Sequence, residues 1–111
     1  MTRLTSRFLV DLLLRRTEAA GGFAAILAAG DDRAGSILVQ CSARGIAGPL
    51  LERRFAANGA YVWEAVGPGD GDESVLSAYR ERRKKADPDL WIVELDIADA
   101  PRLVAEWGEL S

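Results

Sequence analysis

Short connections constrain this chain more than any other feature. Turn-forming clusters at Gly30-Asp31-Asp32-Arg33-Ala34-Gly35, Asn58-Gly59 and Gly67-Pro68-Gly69-Asp70-Gly71-Asp72 divide its middle into brief apolar runs. Glycine supplies positive φ without strain and aspartate hydrogen-bonds its own backbone, so both favour turns. Connections this short join antiparallel neighbours, because parallel strands need a crossover of a dozen or more residues. The early part of the chain therefore predicts antiparallel strands rather than alternating βα units.

Ser6 is placed to cap a first helix over about 7–20, which stops at Gly21-Gly22. Phe23 to Ala29 and Ser36 to Ser42 read as a strand pair joined by the first turn cluster. Gly45, Gly48 and Pro49 break the pattern between Ala43 and Asn58, where Leu50 to Phe55 fits strand or helix; the segment is carried as strand. Ala60 to Val66, rich in aromatic and β-branched residues, suits a half-buried strand. Asp70 and Glu73 have the spacing of an acidic capping box for a second helix running to about Ala86. Asp87-Pro88 ends that helix, and Leu90 to Ile97 alternates Trp91, Val93 and Leu95 with Glu94 and Asp96, as a strand does. Pro101 opens a last helix with Leu103, Val104 and Trp107 on one side. The expected architecture is a single α+β domain over 1–111: a mostly antiparallel sheet of four to five strands packed by about three helices.

At 111 residues the chain buries roughly two thirds of its unfolded surface. With 49% hydrophobic and 28% charged residues it has the composition of a folded domain, not of a disordered segment. The net charge of -3 opposes nucleic acid and anionic membrane as partners. Cys41 is the one cysteine, which forbids an intrachain disulfide and reads as a buried, inert thiol. There is no histidine, so histidine triads and histidine zinc sites are excluded. Asp11, Arg15, Arg16 and Glu18 interrupt or follow the early apolar run where a leader peptide would need apolar or small residues. No run approaches the ~20 apolar residues of a membrane span, so a cytoplasmic protein is expected. The pairs Asp31-Asp32, Asp70/Asp72 and Asp87/Asp89 lack diagnostic metal spacing, and Gly67 to Gly71 lacks the Lys-Ser/Thr of a phosphate loop. Neither a metal nor a cofactor is expected. Trp63, Trp91 and Trp107 read as core or interface anchors.

Wound at 100° per residue, the first helix puts Arg7, Asp11, Arg15 and Glu18 on one charged stripe, while apolar residues cover more than half of its circumference. Two explanations stand: a helix buried on several sides, or a surplus face of Leu9, Val10, Leu13 and Leu14 forming a homodimer contact. Arg16 falls inside that apolar arc and needs a carboxylate, a route to water or an anionic ligand. The run Arg80-Glu81-Arg82-Arg83-Lys84-Lys85 scatters around a helix whose C-terminal dipole it complements. Within it Arg83 aligns with Val75, Leu76 and Tyr79, so it should reach the sheet and meet Asp87, Asp89 or an acidic strand residue. Alternatively Arg16 and Arg83, with Arg80 or Lys84, converge on a phosphate.

Leu12-Leu13-Leu14-Arg15-Arg16, Ala20-Gly21-Gly22-Phe23-Ala24-Ala25, Gly30-Asp31 with Ala34-Gly35, and above all Asp87-Pro88-Asp89-Leu90-Trp91-Ile92-Val93-Glu94 together span nearly the whole chain. In these segments the sequence resembles the small alphaproteobacterial proteins called domain of unknown function 1491. That resemblance implies a bacterial cytoplasmic protein with no assigned activity and carries over no catalytic or binding residue. Three readings of function follow: a non-enzymatic interaction protein or homodimer, an anion-binding module, and a carboxylate- or metal-dependent enzyme.

Overall fold

The computed structural model describes residues 5–69 and 72–108. The elements run α1 (Ser6–Ala19), β1 (Phe23–Ala28), β2 (Ile37–Ala43), β3 (Ile46–Phe55), β4 (Tyr61–Val66), α2 (Glu73–Ala86), β5 (Trp91–Asp96) and α3 (Ala100–Gly108). The strands form one five-stranded sheet in the order β1-β5-β2-β3-β4. Every pairing is antiparallel except β2 with β5.

The parallel pair corrects the expected β1–β2 hairpin. β5 inserts between these two strands, and the loop joining them folds over its start. Asp31 N donates to Asp89 O at 3.0 Å, Trp91 N to Ser36 O at 2.8 Å, and Trp91 Nε1 to Asp31 O at 2.7 Å. Gly30 and Gly35 permit this approach, since a β-carbon at either would lie 2.1 Å from Asp89 O. The physical reason is the apolar content of β5. Trp91, Ile92, Val93 and Leu95 are all buried, and only a central position covers such a strand on both faces and both edges.

Helices cover both faces of the sheet. α1 and α3 enclose a core of Leu9, Val10, Leu13, Val39, Leu51, Val93, Val104 and Trp107 with neighbouring side chains. α2 closes the other face over Leu38, Leu50, Leu76, Leu90 and Ile92. Trp91 and Trp107 belong to the first core and Trp63 packs partly against it, so all three tryptophans are anchors within this chain. Cys41 is buried there too, and desolvation pushes its thiol pKa up to about 12.

Helix caps fall one or two residues from their expected places. Thr5, not Ser6, caps α1, its hydroxyl accepting from Phe8 N at 3.1 Å. Ser6 is inside the helix and its hydroxyl donates to Gly35 O at 2.6 Å, tying α1 to the β1–β2 loop. Asp70 lies outside the described residues. Asp72 caps α2, where bonds from the Ser74 hydroxyl and Val75 N hold its carboxyl below the usual range. The segment Ala43 to Asn58 is mostly the long strand β3, entered through a two-residue turn with φ of 54° at Arg44 and 77° at Gly45. The Asp96 carboxylate closes this turn, accepting from Arg44 N and Gly45 N at 2.8 Å each.

Candidate functional site

The structure separates the four cations that the sequence grouped as one anion site. Arg16 stands on α1 and the other three on α2, across the sheet from it. Arg16 is exposed, and its side chain makes no hydrogen bond or ion pair among the described residues; it borders a shallow groove with Phe8, Leu12, Arg15 and Ala19. Of the fates open to this guanidinium, the route to water is the one observed.

The α2 cations are bound internally. Arg83 Nη1 donates to Glu52 Oε1 at 3.1 Å and to the Tyr79 hydroxyl at 2.9 Å, while Nη2 donates to Glu52 Oε2 at 2.8 Å. The acidic strand residue is therefore its partner, rather than Asp87 or Asp89. The bidentate bond to Glu52 raises the guanidinium's pKa further above its ordinary value. Arg80 donates to the buried Gln40 side-chain carbonyl at 2.9 Å and pairs with Glu73. The Gln40 amide in turn donates to Cys41 O at 2.9 Å and Gly48 O at 3.0 Å. Lys84 Nζ donates to Ala29 O, Pro88 O and Leu90 O at 2.7, 2.6 and 2.8 Å, which uses all three of its protons. These residues form a polar seam that fastens α2 to the sheet, and they do not converge with Arg16 on a ligand.

The four residues expected at an interface are placed differently as well. Leu9, Val10 and Leu13 are fully buried and Leu14 packs partly against the same core. The apolar arc of α1 is filled by its own sheet, which leaves Phe8, at 50% exposure, as the large apolar residue on its open side.

Uncovered apolar surface gathers instead on β1. This strand ends the sheet and pairs on one side only, with β5. Its sequence, Phe23 to Ala28, contains no charge and no proline. Phe23 is 79% exposed, Ile26 42% and Leu27 46%. A register shift between Ile26 and Ala28 marks a bulge at its end. Leu27 and Ala28, with Ile92, Ser77, Glu81 and Lys84, line a groove of about 200 Å³ between this edge and α2. The opposite edge, β4, is guarded by Glu64, which pairs with Arg54 at 3.1 Å. Sequence reasoning paired Phe23 to Ala29 with the strand now seen as β2 and did not place it at the sheet edge. The available signal was the run's lack of any charged residue on either face.

Among the described residues, no group of three or more histidine, cysteine, aspartate or glutamate side chains gathers to hold a metal ion. No described helix is long and apolar enough to cross a membrane.

Fold and surface together define a small three-layer α+β domain, with one helix clamped to the sheet by the Arg83–Glu52 ion pair and by hydrogen bonds from Arg80 and Lys84, and one apolar sheet edge left open. Residues 4–105 match the family described as "Protein of unknown function (DUF1491)", and the chain belongs to that family. A crystal structure of a DUF1491 family protein from Caulobacter crescentus is 33% identical with a TM-score of 0.79, covering 88% of this chain and 92% of that one. An NMR structure of a family protein from the same organism, also 33% identical, gives 0.77 over 90% and 91%. A solution structure of a protein from A. tumefaciens is 31% identical with a TM-score of 0.67 over 88% and 89%. No curated protein matches the chain.

Proposed function

We propose that this protein acts as a non-enzymatic cytoplasmic interaction protein, and that it self-associates through the open edge of β1. The observation that carries the reading is an uncharged terminal strand exposing Phe23, Ile26 and Leu27 beside a ready groove. An unpaired strand offers a row of backbone donors and acceptors, and natural edges are usually blunted by charge or proline, which β1 lacks. A second copy suits this edge by self-complementarity. In an antiparallel pairing about Ala25, Phe23 lies opposite Leu27 of the other copy, and Ala24 opposite Ile26. The register places Phe23 beside Asp96 and Ala28 beside Ile92, so Phe23 and the groove share the α2 side of the sheet. Two such edges meet without bringing charges together, and the sheet continues across the two-fold axis.

Sedimentation velocity of the full chain over a concentration series tests this. The expected result is a concentration-dependent dimer that Ala25→Lys converts to monomer, since the substitution sets two like charges side by side at the axis. Ala25 is exposed in the single chain, so the variant folds normally. A wild-type protein that stays monomeric at high concentration, or a dimer indifferent to Ala25→Lys, would overturn the proposal.

A further inference from the structure

A second uncovered surface lies on the outer side of α1. The helix turns Leu9, Val10 and Leu13 to the sheet, while Phe8, Leu12, Arg15, Arg16 and Ala19 line a groove of about 320 Å³ on its open side. Every described residue that lines this groove belongs to α1. Phe8, Leu12, Arg15 and Ala19 follow one another at steps of four, three and four residues. With that spacing a helix presents a seam to a second helix, whose side chains seat in the holes between its own. The seam runs about 16 Å, or three helical turns. Leu12 forms a partly buried floor, and the half-exposed Phe8 and exposed Ala19 mark its two ends.

The charge on this face has one sign. Arg15 and Arg16 are both exposed, and their side chains make no hydrogen bond or ion pair among the described residues. No described carboxylate lines the groove. Asp11, the nearest acid on the helix, pairs with Arg7 at 3.6 Å, and at 100° per residue Glu18 falls on that same neighbouring stripe. Two guanidiniums without partners beside an apolar seam are complementary to a surface that is apolar along its middle and acidic at its flank. A second copy of this chain does not fit, because pairing α1 with itself gathers four guanidiniums on one small face. An anionic bilayer is opposed by the net charge of -3 and by Asp11 and Glu18 alongside the seam.

We propose that the outer face of α1 docks an acidic amphipathic helix of a partner protein, its apolar residues seated between Phe8, Leu12 and Ala19 and its carboxylates on Arg15 and Arg16. The probe is a synthetic peptide of about three heptads with leucine at a and d and glutamate at e and g, which keep copies of the peptide apart. Its control carries lysine in place of every glutamate. Fluorescence anisotropy at physiological ionic strength should show saturable binding of the glutamate peptide to the full chain, with amide NMR shifts centred on residues 8–19. The lysine peptide should bind at least about tenfold more weakly. Arg15→Glu with Arg16→Glu should reverse this preference, a gain that an unfolded variant cannot produce. Phe8→Ala should weaken the glutamate peptide while keeping the preference for it. Ala24 packs against the core under α1, so Ala25 points to the opposite face of β1. Ala25→Lys should therefore bind the peptide as the wild type does, which keeps this docking and the β1 pairing separately testable. Absence of binding, equal binding of the two peptides, shifts centred elsewhere, or an unreversed preference in the double variant would each overturn the proposal. So would tighter binding to phosphatidylserine vesicles than to the glutamate peptide, or a self-association abolished by the double variant, which would assign the face to a membrane or to a second copy.

Discussion

Glu52 on β3 grips Arg83 on α2 with both carboxylate oxygens, at 3.1 and 2.8 Å, across 31 residues of sequence. The pair lies at the margin of the second core, with the Glu52 side chain 10% and the Arg83 side chain 26% exposed. Tyr79 adds a third bond to the same guanidinium from one helical turn earlier. Removing Glu52 leaves the Arg83 guanidinium with Tyr79, and removing Arg83 leaves the desolvated Glu52 with the half-exposed Arg54, whose Nη2 donates to Glu52 Oε1 at 3.1 Å. Glu52→Gln and Arg83→Ala should each lower stability by about 2 kcal/mol, within the range for breaking charged hydrogen bonds at partly buried sites. The double substitution Glu52→Gln with Arg83→Ala should lose less than the two single changes added together, because it removes both charges at once. Urea unfolding of the four proteins measures this, and strictly additive losses would show that the pair is not coupled.

Cys41 makes the fold sensitive to alkali. Burial raises its thiol from an ordinary value of 9.0 to about 12, so between these limits the unfolded chain ionises while the folded chain keeps its proton. The folded state then binds more protons than the unfolded one, and stability must fall as pH rises. The contribution is intact below pH 9 and declines by up to about 1.4 kcal/mol per unit above it. Cys41→Ala should flatten this part of the stability curve while lowering stability at neutral pH through the lost packing. Denaturant midpoints from pH 7 to 11 check both effects, and parallel curves for the two proteins would refute the assignment to Cys41.

Leu13 and Arg16, three residues apart on α1, should respond in opposite ways to truncation. Leu13 is fully buried, so Leu13→Ala should cost about 2–5 kcal/mol. Arg16 is exposed and its side chain bonds to nothing described, so Arg16→Ala should change stability by no more than about 0.5 kcal/mol. Thermal melts separate these outcomes easily. A large loss at Arg16 would mean that its guanidinium has a partner which the single chain does not supply.

Much of the fold was legible because it rests on local physics. The alternation of Trp91, Val93 and Leu95 with Glu94 and Asp96 defines β5 from side-chain period alone, and the three helices follow from caps, stops and apolar spacing. The internal partner of Arg83 was legible as a class, an acidic strand residue, but not as Glu52. That choice depends on the pairing of β3 with β2, which carries Glu52 beneath α2 in register with Leu38.

Local pattern therefore determined which segments become helix or strand, which charges must find partners, and that histidine and disulfide chemistry are absent. Tertiary structure alone decided the strand order, and with it every surface that could matter to function. Inserting β5 between β1 and β2 separated β1 from its expected hairpin partner and left it as an open apolar edge. The packing of α1 and α2 on opposite faces put Arg16 and Arg83 on opposite sides of one sheet. The physical reason is that side-chain period records which face of a strand is buried but not which strand lies beside it. Neighbour choice is settled by the burial of long-range apolar surface, a property of the whole chain.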